Sequence, residues 1–341
     1  MGYKEGRKVK KLFALALGVT LFAGSAFALT LNGAGATFPY PLYSKWFSVY
    51  QQQKGIQVNY APIGSGGGIR QFSAGVVDFG GTDAPMSDVE LAQAGGNVLH
   101  IPAVAGSVAV VYNAGITGLK LDGDTLAKIF MGEIKKWDDP MIAKLNPDLN
   151  LPNKDILVVH RSDSSGTTDI FTNYLAKVST SWSAKVGAGK SVNWPAGVGG
   201  KGNPGVTGVV KNSSGSIGYV ELAYAETNDL PTVALKNRAG KYITPSIKAT
   251  TAAMDGGLAK IPADYRGEIL NQRGADSYPI CGFTWLLVHQ NQKDPAKGEA
   301  LVNLLKWAMD DGQSYAAALY YAPLPESLRS KILLTINSIK Y

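Results

Sequence analysis

"DILVVHRSDSSGTTDIFTNYLAKV" (Asp155–Val178) joins a short apolar run, a polar turn and a segment of helical spacing. Asp155–His160 reads as a buried strand, and Ile170, Tyr174 and Leu175 recur at the helical period. Between them, His160–Phe171 packs three serines, two threonines, a glycine, an arginine and two aspartates. Such a turn suits either a nucleophile with its helpers or a cradle for an anion.

The same arrangement occurs twice more. "LNGAGATFPYPLYSKWFSVYQQQKG" (Leu31–Gly55) runs from an apolar piece through a Gly-rich turn into a helix. Pro39 and Pro41 stand near the helix start, where a missing N–H costs little. Leu42, Trp46, Phe47 and Tyr50 mark one face, and Gly55 is placed to end the helix. "IQVNYAPIGSGGGIRQFSAG" (Ile56–Gly75) predicts a strand over Ile56–Ala61 and a short helix ending near Gly75. A helix N-terminus offers unpaired N–H groups and partial positive charge, so each turn is a ready anion site. Three of them, one with an arginine, favour a converging oxyanion site. Strand–helix alternation predicts an α/β protein with mostly parallel sheets, with ligands beyond the carboxyl ends of the strands.

The remaining features set bounds. A chain of 341 residues has room for two lobes, since domains mostly run to about 100–200 residues. Residues 1–28 combine a basic start, an apolar run and the small-x-small triplet Ala26-Phe27-Ala28, the pattern of a signal peptide cleaved near Ala28. They hold five basic residues and one acid, so their removal lowers the formal charge from +7 to +3. That weakens a nucleic-acid reading. Cys281 is alone, which rules out an intramolecular disulfide.

Rival chemistries find little support. "AKVGAGKS" (Ala184–Ser191) ends like an NTPase phosphate loop but has Ala184 where the first glycine belongs. Around Ser65, Ile63 replaces the first glycine of a nucleophile elbow. His100, His160 and His289 are too scattered for a metal site, and each is expected to be structural; His160 alone adjoins the suspected site. Trp137 and Trp194 are expected to pack. A Ser65- or Ser165-dependent phosphatase, the alternative function, needs a base and a means of activating water, and neither is visible.

"GAGATFPYPLYSKW", "GSGGGIRQF", "VDFGGTDAPMS", "GEIKKWDDPMIAKLNP", "HRSDSSGTTDIFTNYLAKV", "GVGGKGN" and "GSIGYVELAYA" follow one another in this chain. In sequence and order they closely resemble the periplasmic phosphate-binding proteins of bacterial ABC phosphate importers, from about Gly33 to Tyr321. The resemblance implies a two-lobed periplasmic-binding-protein fold of type II, each lobe a mostly parallel sheet flanked by helices, with two hinge crossings. Lobe 1 is expected at 29–104 plus 278–341 and lobe 2 at 105–277, crossing near Ile101–Gly106 and Asp276–Phe283. It implies a monomer that takes one inorganic phosphate in the periplasm and hands it to a membrane ABC permease with its ATPase subunits. No enzyme activity, cofactor, metal or nucleic acid is implied.

The implied ligand contacts are Thr37, Phe38, Ser65, Asp83, Arg161, Ser165, Gly166 and Thr167, with Asp163 as the partner of Arg161. One departure is "GSGGG" where many relatives carry "GSSGG", so a second hydroxyl is missing at Gly66. The chemistry fits these types. Phosphate near neutral pH still carries protons and donates hydrogen bonds, whereas sulfate only accepts. An ionised Asp83 accepts from the first and repels the second. A site built around one donated hydrogen bond rejects an analogue lacking it by several orders of magnitude.

Overall fold

The protein is described here by a computed structural model covering residues 1–3 and 29–341. The expected signal segment lies outside the described residues, apart from its first three. From the start of the described fold the chain runs β1 (Thr30–Gly35), α1 (Tyr40–Lys54), β2 (Gln57–Pro62), α2 (Ser65–Ser73), β3 (Phe79–Thr82), α3 (Asp88–Gln93) and β4 (Val98–Asn113). The middle of the chain follows as β5 (Lys120–Leu121), α4 (Gly123–Phe130), α5 (Pro140–Leu145), β6 (Leu157–Arg161), α6 (Gly166–Val178) and α7 (Thr180–Lys185). It continues through β7 (Val198–Gly200), α8 (Gly202–Asn212), β8 (Ser216–Glu221), α9 (Leu222–Glu226), β9 (Ala234–Lys236), β10 (Tyr242–Ile243) and α10 (Ile247–Gly257). Last come β11 (Cys281–His289), α11 (Pro295–Met309) and α12 (Glu326–Asn337).

Eight strands line up as β2-β1-β3-β11-β4-β8-β6-β7, and β10-β9-β5 form a small separate sheet. The flanks are parallel: β1 pairs with β2 and β3, and β6 with β7 and β8. The centre is antiparallel, through β3–β11, β11–β4 and β4–β8. The three strand–turn–helix units are therefore present, as β1–α1, β2–α2 and β6–α6, and the α/β class holds. What periodicity did not show is the antiparallel centre. β4 is sixteen residues long and buried almost throughout, His100 and Ser107 included, so its mostly apolar run carries no face alternation. It pairs with β11 through Ser107 and with β8 from Val108 onward, so one strand serves both halves of the sheet. Ile101–Gly106 lies inside this strand.

Helix ends follow their local chemistry. α1 has Pro39 at its N-cap and stops at Gly55, whose φ of 71° is the left-handed cap. Its Leu42, Trp46, Phe47 and Tyr50 are all buried, as their spacing predicts. The Trp46 indole N–H finds the Gly312 carbonyl at 2.6 Å, and Trp137 donates to Gly215 O at 2.9 Å. Trp194 stacks on His160 with ring centroids 4.7 Å apart. His100 accepts the Met86 N–H through Nε2, and burial, with Arg266 nearby, pushes its pKa down to about 4. A neutral imidazole in a structural bond is the result.

α2 sits unusually close to the sheet, and Gly68 is the reason. A β-carbon there would lie 2.4 Å from Gly35 Cα and 2.6 Å from the Ala34 carbonyl oxygen, both backbone atoms unable to step aside. Gly68→Ala is expected to destabilise the fold near the top of the range of about 1–3 kcal/mol for overpacking. Urea unfolding of the variant measures this. A midpoint equal to that of the wild type would contradict the close helix–sheet contact.

Candidate anion site

Five strands deliver the site from their carboxyl ends. β1 leads into Thr37, β2 into Ser65, β3 into Asp83, β6 ends at Arg161 and β7 leads into Asn203. Parallel strands that stop at one edge bring these turns together, as open α/β sheets do. Hydrogen bonds gather Ser65, Asp83 and Gly166 into one cluster and Arg161, Asp163, Thr167 and Thr37 into a second, adjoining at Gly166–Thr167, with Phe38 and Ser165 as immediate neighbours. All nine sequence-predicted positions lie here.

The first cluster centres on Ser65, which is fully buried. Its Oγ accepts the backbone N–H of Asp83 and of Gly166, each at 3.1 Å, and lies 3.5 Å from Asp83 Oδ2. Asp83 Oδ1 accepts from the Thr284 hydroxyl at 2.8 Å. β11 has a register irregularity between Thr284 and Trp285, the kind of bulge that re-aims a side chain beside a site. Burial pushes the Asp83 pKa up to about 7, although bonds from Thr284 and Ser65 and the charge of Arg161 pull the other way. This refines the expectation of a fully ionised acceptor, because near neutral pH the carboxyl is poised between its two forms.

The second cluster centres on Arg161, 3% exposed. Its Nε and Nη2 meet Asp163 at 2.7 and 2.6 Å, the bidentate fork, and Nη1 donates to Thr167 Oγ1 at 3.3 Å. Those bonds use three of the five guanidinium N–H groups and leave one on each Nη nitrogen. Burial works against the Asp163 charge, but Arg161 and the Gly202 N–H outweigh it and hold its pKa below the usual carboxylate range. Arg161 is thereby oriented and partly neutralised without being consumed.

Asn203 links the second cluster to Thr37. Its N and Nδ2 donate to Thr37 Oγ1 at 3.0 and 2.9 Å, and Nδ2 also reaches Thr167 Oγ1 at 3.1 Å. Sequence reasoning quoted "GVGGKGN" but gave Asn203 no role. The signal was present, since β7–α8 is a fourth strand–turn–helix unit with a glycine-rich turn. Thr284 carried no local signal, because it lies 201 residues from the carboxylate it serves.

The backbone around Thr37 and Phe38 is fixed by two tyrosines, Tyr224 donating to Thr37 O and Tyr321 to Phe38 O, each at 2.6 Å. Ser165 caps α6, its Oγ accepting the Thr168 N–H at 3.0 Å. The Gly66 departure also has a cause. Its N–H donates to Ser164 O at 3.0 Å, and a β-carbon at 66 would lie 2.1 Å from the Ser164 hydroxyl. Glycine there allows α2 to meet the turn before α6 directly. A surface hollow of about 470 Å³ bordered by Asp78, His289 and Lys297 contains none of these residues.

This geometry is suited to holding a small oxyanion. The hydroxyls of Thr37 and Thr167 and one oriented guanidinium supply donors, while Asp83 supplies an acceptor. It is poorly suited to nucleophilic attack. The Ser65 oxygen is engaged by two N–H donors, and the Ser165 oxygen by a helix cap.

Comparison with known proteins agrees with the architecture. Residues 23–311 match the model of the PBP superfamily domain. The chain is 46% identical over 326 residues to the phosphate-binding protein PstS of Pasteurella multocida, covering 95% of this chain and 94% of that one. It is 44% identical over 328 residues to the PstS of Haemophilus influenzae, covering 95% and 97%. The solved phosphate binding protein of Stenotrophomonas maltophilia shares the fold with a TM-score of 0.68 at 21% identity, over 90% of this chain and 94% of that one. On the family model and these full-length relatives, the chain belongs to the PBP superfamily and, within it, to the family of PstS phosphate-binding proteins.

Proposed function

We propose that this protein binds inorganic phosphate between two lobes and delivers it to an ABC permease for uptake. The observation that carries the reading is the pairing of an oriented, unsaturated Arg161 with a buried carboxyl, Asp83, in a nest of backbone and hydroxyl donors. The names of its full-length relatives supply the anion. The protein is a solute-binding protein, not an enzyme, and no cofactor takes part.

Thr37, Phe38, Ser65, Asp83, Arg161, Ser165, Gly166 and Thr167 hold the anion, and Asp163 orients Arg161. Asn203 joins them as the link between Thr37 and Thr167. Lobe 1 comprises about 29–104 plus 278–341 and lobe 2 about 105–277. The change of partner along β4 at Ser107–Val108 supports a crossing there. The protein acts in the periplasm as a monomer after cleavage near Ala28, with the permease and its ATPase subunits as its membrane partners.

Ligand groups split between lobes require closure, because one anion touching both sides favours the closed arrangement. Small-angle scattering of the purified protein is expected to show a smaller radius of gyration with saturating phosphate than without it. Hydrolysis of p-nitrophenyl phosphate is expected to stay at background. Identical scattering profiles would contradict closure, and sustained turnover would favour the phosphatase alternative.

A further inference from the structure

The "GAGKS" stretch (Gly187–Ser191), which fails as a nucleotide loop, makes a contact of another kind. Lys190 Nζ lies 2.7 and 2.9 Å from the two carboxylate oxygens of Glu90. These residues are 100 positions apart, one just after α7 and the other on α3. By the lobe division proposed above they face each other across the cleft.

Both ends of this ion pair are tied to the anion site. Glu90 Oε2 accepts from Ser87 N at 2.9 Å and from Ser87 Oγ at 3.1 Å, within the capping box that starts α3. Ser87 is four residues beyond Asp83. On the other side, the Lys190 carbonyl accepts the Ser165 N–H at 2.8 Å. Its neighbour Gly189 donates to Thr172 Oγ1 on α6 at 3.1 Å. Burial alone would raise the Glu90 carboxyl, but the bonds from Lys190 and Ser87 prevail and hold it below the usual range. The pair sits at the rim, its side chains 21% and 23% exposed.

An exposed ion pair usually adds little, because ordering two long side chains offsets the attraction. Here Glu90 is held in place by Ser87 and the Lys190 backbone by Ser165, so much of that ordering is already done. The attraction exists only when the two sides meet. Opening the cleft breaks it, while capture of an anion by the open form does not use it.

We propose that Lys190 and Glu90 form a latch across the cleft that slows ligand release without taking part in ligand contact. The proposal rests on the phosphate-binding, two-lobed reading. Loss of the latch changes the dissociation rate and leaves the association rate nearly untouched, since encounter is governed by diffusion to the open form.

Stopped-flow measurement of inorganic phosphate release from the full mature protein tests this. Lys190→Met and Glu90→Gln are each expected to speed release about two- to fivefold, the upper part of the range for a partly exposed pair. The double variant is expected to release no faster than either single one, because the same contact is lost once. The exchange Lys190→Glu with Glu90→Lys is expected to slow release again, and high salt to narrow the gap between wild type and the single variants. Unchanged release in both single variants of a phosphate-binding wild type overturns the latch alone, as do additive effects in the double variant. A wild type that does not retain phosphate overturns the phosphate reading, and the latch with it.

Discussion

Asp83→Asn is expected to lower the ratio of phosphate to sulfate affinity by at least about 100-fold, because that ratio depends on one donated hydrogen bond. The substitution keeps size and shape, removes the charge, and offers an amide that accepts on one edge and donates on the other. Phosphate still finds an acceptor in the amide oxygen and loses modestly. Sulfate meets an N–H donor where it met a carboxylate, so it improves. Thr284 can go on donating to the side-chain oxygen at 83, which protects the fold. The wild-type carboxyl, pushed up to about 7 by burial, adds a pH signature. Below that value Asp83 holds a proton and tolerates sulfate; above it the carboxylate repels sulfate. Sulfate affinity of the wild type is therefore expected to fall about tenfold per pH unit above neutrality, and the Asn variant to lose that slope. Titrations of both proteins with both anions at about pH 6 and pH 8 measure this. An unchanged ratio in the variant would mean that Asp83 does not face the ligand.

Arg161→Ala is the second large effect. A hydrogen bond to a charged group contributes roughly 1.5–3 kcal/mol, which is about 10- to 150-fold in affinity. The two N–H groups that Arg161 leaves unused are those the anion would take, so the loss belongs to binding first. Asp163 adds to it. Without Arg161 it keeps only the Gly202 N–H among its partners described above, and its negative charge then faces the site uncompensated. Arg161→Lys is expected to recover only part of the loss, because a point charge cannot hold the Asp163 fork and donate in two directions together. Calorimetry that shows less than about a threefold loss for the alanine variant would remove Arg161 from the site.

Much of this site was legible because its turns announce themselves locally. A strand, a glycine or serine turn and a helix start fall within a dozen residues, and the N–H groups they expose are a property of the helix end itself. Thr37, Ser65 and the Arg161–Thr167 run could be found that way, and Asn203 too. Thr284 could not, since its role depends on the antiparallel pairing between β11 and β3, which sets Trp285 opposite Thr82 and Thr284 beside Asp83. The Lys190–Glu90 contact was equally hidden, because neither charge stands in a local pattern that names the other. β4 shows the limit of periodicity from another side. A strand buried on both faces reads as an apolar run, and nothing in Val98–Asn113 says that its partner changes halfway. The Asp83 titration was also out of reach, because its leading cause is burial, a property of the folded molecule.

At the heart of the proposed function is selection of an anion able to donate a hydrogen bond to Asp83. Calorimetric titration of the wild-type protein with phosphate and, separately, with sulfate at about pH 8 tests it most directly, since the carboxyl is then mainly ionised. Saturable one-to-one binding of phosphate is expected, with sulfate weaker by at least about 100-fold. Comparable affinities for the two anions would contradict it.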